Sequence, residues 1–117
     1  MIAEPVKRDF VVPQGVTYPI KMRYLDSTDT VIDLTGATVE AQLRKQYDQT
    51  DADYTATIAN GKAFLDGDNY FGFTLSPSDT SSIAATTYFY DLIVTKTDGD
   101  VTRAMEGTIS ITPEVTK

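Results

Sequence analysis

The feature that most limits what this sequence can fold into is a two-residue rhythm, carried in short segments that turn residues interrupt. In Val16-Thr17-Tyr18-Pro19-Ile20-Lys21-Met22-Arg23-Tyr24 every second residue is apolar, and those between are polar or proline. Side chains along an extended strand point alternately to opposite faces, so this segment buries one face and wets the other. The rhythm returns in Ala37-Thr38-Val39-Glu40-Ala41-Gln42-Leu43-Arg44, with Val39, Ala41 and Leu43 inward. From Thr87 to Lys96 it places Tyr88, Tyr90, Leu92 and Val94 on one side. From Val101 to Thr112 it turns Met105, Ile109 and Ile111 inward, and Gly107 marks a bulge or a close backbone approach. Pro19 has no N–H to give to a ladder, so its strand has an edge or a bulge there.

The segments between are shorter. Arg8 to Val12 reads as a strand closed by the turn Pro13-Gln14-Gly15, and Asp26-Ser27-Thr28-Asp29 as a polar turn. Val31-Ile32-Asp33-Leu34 is an extended piece broken by Thr35-Gly36, and residues 46–53 form an exposed acidic loop. Tyr54, Ala56 and Ile58 mark the next strand, with Asn60-Gly61 as the turn after it. Ala63-Phe64-Leu65 and Tyr70 to Leu75 flank Asp66-Gly67-Asp68-Asn69, a hairpin signal. Ser76-Pro77-Ser78-Asp79 then supplies an N-cap serine, a proline at the first helical position and an acid at the third. One or two turns of helix follow, with Ile83 plugging the core. About seven to eight short antiparallel strands with turn signals every 8–12 residues describe an all-β sandwich in a single domain, residues 1–117.

Composition narrows the chemistry. A chain of 117 residues suffices for one hydrophobic core. There is no cysteine, so no disulfide or thiolate metal site is available. Histidine is absent as well, which removes the commonest general base and zinc ligand. Ten basic residues against seventeen acidic ones give a net charge of −7, which repels phosphate backbones and argues against nucleic acid as partner. No stretch is apolar enough to read as a signal peptide or a membrane span. No enzyme activity and no cofactor are expected.

One constellation sharpens the sandwich to an immunoglobulin-like one. Asp79-Thr80, then Ile83, then Tyr88-Phe89-Tyr90 is similar to the corner between strands E and F of immunoglobulin domains, where a tyrosine hydroxyl bonds back to the preceding loop. Either Tyr88 or Tyr90 fits that part. Asp33 is placed to accept backbone N–H groups two residues on, Leu34 to plug the sandwich end, and Gly36 to adopt a positive φ. Lys21 and Arg23 on one strand and Arg44-Lys45 at the end of another are candidates for a small basic patch, a footing for an acidic neighbour. Tyr47, Tyr54, Tyr70 and Phe71 are candidate exposed contact aromatics, able to stack on sugars. The acids Asp48, Asp51 and Asp53, and Asp66, Asp68 and Asn69, match no calcium-loop spacing and read as solvated turns.

Several stretches resemble a family of phage proteins. They are Asp9-Phe10-Val11-Val12 followed by Gln14-Gly15, and above all Ile32-Asp33-Leu34-Thr35-Gly36-Ala37-Thr38-Val39. Leu75-Ser76 to Asp79-Thr80, Tyr88-Phe89-Tyr90-Asp91-Leu92, Val101-Thr102-Arg103 with Glu106-Gly107, and Thr112-Pro113-Glu114-Val115-Thr116 complete the set. The pattern is similar to the N-terminal domain of phage baseplate upper proteins and related small virion proteins. The resemblance implies an immunoglobulin-like sandwich that docks on other virion proteins, in several copies of a symmetric particle assembled in the bacterial cytoplasm. Baseplate upper proteins carry this domain ahead of a long helical and receptor-holding region, whereas this sequence stops at Lys117. Tail, baseplate, neck and head-surface positions therefore all stay open. A carbohydrate-binding adhesion module on the virion surface is the alternative.

Overall fold

In the computed structural model, which describes residues 6–23, 28 and 32–113, the alternating segments become strands. They are β1 (Val6–Lys7), β2 (Phe10–Pro13), β3 (Tyr18–Met22), β4 (Thr38–Arg44) and β5 (Tyr54–Thr57). After these come β6 (Ala63–Leu65), β7 (Phe71–Leu75), the helix α1 (Pro77–Ser82), β8 (Thr87–Thr95) and β9 (Val101–Thr112). The large sheet runs β1-β9-β8-β4-β5, with β2 also on β9, and the small sheet runs β3-β7-β6. This is an immunoglobulin-like all-β sandwich, with the three-stranded sheet in the place of strands B, E and D.

The alternation fixes which faces meet. Val39, Ala41 and Leu43 of β4, Tyr88, Leu92 and Val94 of β8, and Phe71, Phe73 and Leu75 of β7 are buried between the sheets. With no cysteine to cross-link the sheets, aromatic rings span the gap: Phe73 and Tyr90 lie 6.3 Å apart, and Phe10 and Tyr18 6.2 Å. Pro19 sits on β3, which among the described residues pairs with β7 alone and so lies at an edge, one of the two placements expected for it.

Two details differ from the sequence reading. Nine strands form among the described residues, and β1 and β2 pair with β9 in parallel rather than antiparallel fashion. The chain swings out between them, and the Asp9 carboxylate takes over there, accepting the Thr108 N–H at 2.9 Å and the Thr108 hydroxyl at 3.1 Å. Gly107 makes the close approach: a Cβ there would meet the Arg8 carbonyl oxygen at 2.0 Å. The bulge lies elsewhere, where Leu92 pairs with Met105 and Ile93 with Arg103, leaving Ala104 as the extra residue.

Helix α1 starts as its sequence predicts. The Ser76 hydroxyl accepts the Asp79 N–H at 3.1 Å, and the Asp79 carboxylate accepts the Ser76 N–H at 3.0 Å, a reciprocal capping box. Ile83 is half-buried against the core at the helix C-cap. Residues 32–34 form no strand, and Val31 lies outside the described residues. So do the turn at Asp26 to Asp29, Thr28 apart, and Glu114 to Thr116 of the closing motif. No helix among the described residues is long and apolar enough to cross a membrane.

Candidate functional site

The motif residues separate into those that build the sandwich and those that face outward. Asp33 accepts both the Thr35 N–H at 2.9 Å and the Thr35 hydroxyl at 2.6 Å. These bonds hold its carboxyl below the usual range, against a small opposing effect of burial. The Ala37 N–H donates to the Leu34 carbonyl at 2.9 Å, and Gly36 at φ +83° closes a turn that needs a positive φ at its third residue. Leu34 is buried in the core, and its N–H donates to the Asn69 side chain at 2.9 Å. The Ile32-to-Val39 element is thus tied to the β6–β7 turn. It is architecture.

Asp79 and the tyrosines hold another part of the sandwich. Asp79 is 7% exposed and accepts from Lys62, from the Tyr54 hydroxyl at 3.2 Å and from the Ser76 N–H. Burial by itself would raise its pKa, but the bonds from Lys62 and Ser76 together outweigh that and lower it. Tyr88 is the corner tyrosine: its hydroxyl donates to the Ala84 carbonyl at 2.7 Å, four residues back. Tyr90 does something else, donating to the Arg8 carbonyl at 2.7 Å and so anchoring the chain between β1 and β2. Burial first, then the nearby Asp9, raises the Tyr90 pKa. Thr80, fully buried, accepts the Gly15 N–H at 2.9 Å and fastens the β2–β3 turn to the helix.

The basic patch does not form as one. Lys21 and Arg23 belong to the small-sheet side, where both cap the Tyr70 ring, at 4.7 Å and 4.3 Å from its centroid. Arg44 is on the large sheet, which packs its inner face on the small one. Of the four aromatics expected at the surface, Tyr54 and Phe71 are buried. They share the inward phase of Ala56 and Phe73 two residues on, and that phase overrides their nearness to turns. Tyr70 is half-buried, and Tyr47 is 82% exposed. Two of the loop acids cap turns: Asp53 accepts the Lys45 N–H at 3.0 Å, and Asp66 accepts the Asp68 and Tyr70 N–H groups at 2.9 and 3.1 Å.

What remains outward is the far face of the large sheet. Strand register lines up Gln42 of β4, Asp91 of β8 and Glu106 of β9, with Arg44 and Phe89 paired in the adjacent row. Tyr47 folds back from the following loop and stacks on Phe89, centroids 4.2 Å apart and planes 22° from parallel. Arg103 reaches both acids at 3.5 Å, Nε to Asp91 and Nη1 to Glu106. These residues line a depression of about 240 Å³. Along β4 the Gln42 amide donates to Glu40 at 2.8 Å and accepts from Arg44, whose Nε donates to the Gln49 carbonyl at 3.0 Å.

Asp91 carries the electrostatic strain of this face. Burial raises its pKa, and Glu106 opposite and Glu40 nearby add to the rise, while Arg103 and Arg44 pull the other way. A carboxylate placed directly opposite another across two strands is unfavourable unless a cation bridges them, which is the part Arg103 plays. Of the lining residues, the sequence offers Arg44 and Tyr47 as contact candidates and Tyr90 as a corner tyrosine, while Phe89, Asp91, Arg103 and Glu106 figure only within the resemblance stretches. Nothing in the sequence groups these with Gln42 until the register sets them side by side.

No group of three or more carboxylate, histidine or cysteine side chains suited to a metal ion occurs among the described residues. No protein-family model matches the chain, and no curated protein sequence matches it.

Proposed function

We propose that this chain is a non-enzymatic structural protein of a bacteriophage particle, working by contact with neighbouring virion proteins in several copies. The observation that carries the reading is the division of labour among its polar residues. Asp9, Asp33, Asp66, Asp79 and Thr80 each cap a turn, a strand or a helix, so the motif residues hold the frame. A separate set of polar and aromatic residues, Gln42, Arg44, Tyr47, Phe89, Asp91, Arg103 and Glu106, gathers on the broad outer face of the large sheet, a shape suited to lateral contact. The resemblance of the Ile32-to-Val39 and Asp79-to-Leu92 stretches to phage baseplate upper proteins supports the virion assignment.

Mass spectrometry of purified particles from an infected host, with light scattering of the isolated chain, tests it. The reading expects the chain among the virion proteins at fixed copy number. A protein abundant in the lysate, monomeric, and absent from purified particles refutes it.

A further inference from the structure

We infer that the depression between β4, β8 and β9 binds one neutral saccharide residue. The inference uses the same outer face as the virion reading but does not depend on it: a sugar site stands or falls by titration of the isolated chain, the virion reading by the presence of the chain in particles.

The lining is charged but balanced. Two guanidinium groups, Arg44 and Arg103, and two carboxylates, Asp91 and Glu106, line the depression. They sum to zero and alternate in sign. An anion entering it meets both acids and a cation meets both arginines, so neither gains a net attraction. A neutral molecule with closely spaced hydroxyls suits such a lining, because each hydroxyl both donates and accepts.

The shape suits a sugar ring. The Tyr47–Phe89 stack gives the depression an amphipathic aromatic wall, the kind of surface that the C–H face of a pyranose covers while its hydroxyls point at polar groups. At about 240 Å³ the space is smaller than an ordinary drug-sized pocket, which starts near 300 Å³, and fits a single ring. Tyr47 is 82% exposed, so a longer glycan has room to continue outward past the bound ring.

The polar groups are also preorganised. The Glu40–Gln42–Arg44–Gln49 chain of hydrogen bonds fixes the Gln42 amide and the Arg44 guanidinium before any ligand arrives. Groups held in place lose little freedom on binding, which favours recognition of a weakly binding ligand. Asp91, half-buried at the centre with Arg103 only 3.5 Å away, keeps lone pairs for hydroxyl donors.

The test is an amide NMR titration of the full chain with glucose, galactose, mannose, N-acetylglucosamine and their linear oligomers. N-acetylneuraminic acid and glucosamine serve as the charged counterparts. At least one neutral sugar should shift the amides of Gln42, Phe89 and Asp91, with the charged sugars binding more weakly. Tyr47→Ala removes an exposed ring and should leave the fold intact; it and Asp91→Asn should each weaken binding about tenfold or more. Tyr70→Ala, on the small-sheet side, should leave binding unchanged. No shift with any neutral sugar, tighter binding of a charged one, or unaltered binding in both face variants overturns the inference. So does a face that engages only a polypeptide.

Discussion

Replacing Asp79 with alanine isolates the node that joins helix, strand and turn. Three donors lose their acceptor: the Ser76 N–H at 3.0 Å, the Tyr54 hydroxyl at 3.2 Å, and the Lys62 ammonium. Loss of the capping interaction costs about 1 kcal/mol, and a buried bond to a charged group about 1.5–3 kcal/mol. Two facts trim the total. Tyr54 has a second acceptor in the Thr74 carbonyl at 3.4 Å. The Lys62 side chain is 36% exposed, so its pair is screened and contributes at most about 1 kcal/mol. The sum is on the order of 3 kcal/mol, or roughly 12 °C in melting temperature for a domain of this size.

The pH dependence gives that number a signature. The folded-state pKa of Asp79 lies below its unfolded value, so its stabilisation is complete above the unfolded pKa of about 4. It is lost as pH falls through the folded value. The stability gap between the native chain and Asp79→Ala should therefore be constant near neutral pH and close in acid. There is no tryptophan to report unfolding, so urea denaturation followed by circular dichroism is the assay. A gap below about 0.5 kcal/mol at neutral pH, the range of ordinary surface substitutions, refutes the reasoning. So does a gap that stays open at low pH.

Other perturbations test separate parts. Tyr88→Phe removes the corner hydrogen bond to Ala84 and should cost about 1–2 kcal/mol in the same denaturation assay. Gly107→Ala drives a Cβ into the Arg8 carbonyl, so hydrogen exchange should show residues 6–13 losing protection while β4 and β8 keep theirs. Gly36→Ala forces an alanine to φ +83° and its Cβ to within 2.8 Å of Thr97, with an expected loss of about 1–2 kcal/mol. A carboxyl NMR titration should find Asp91 protonating above, and Asp33 below, the ordinary aspartate value. Because Asp91 is raised in the fold, its contribution to stability falls as pH rises through that window, and Asp91→Asn should remove the fall.

Local chemistry made much of this fold readable. The inward faces of β4 and β8 follow directly from residue phase, and Ser76-Pro77-Ser78-Asp79 announces its capping box in four letters. The turn at Leu34 to Ala37 was legible for the same reason, since Gly36 and Asp33 are chosen for local geometry. Long-range pairing was not. Nothing near Val6 or Phe10 says that they run parallel to a strand almost a hundred residues away, or that Asp9 completes a ladder at Thr108. The choice between Tyr88 and Tyr90 likewise needed the position of Ala84 and Arg8. The outer depression was least visible, because its residues come from three strands and no one strand carries an unusual pattern.

A cryo-EM reconstruction of purified virions examines the proposed role, a contact surface within a particle, at first hand. Density for this sandwich is expected at symmetry-related positions, packed against neighbouring proteins through its strand faces and edges. A reconstruction in which every density is accounted for by other chains, with this one missing from the particle, contradicts it.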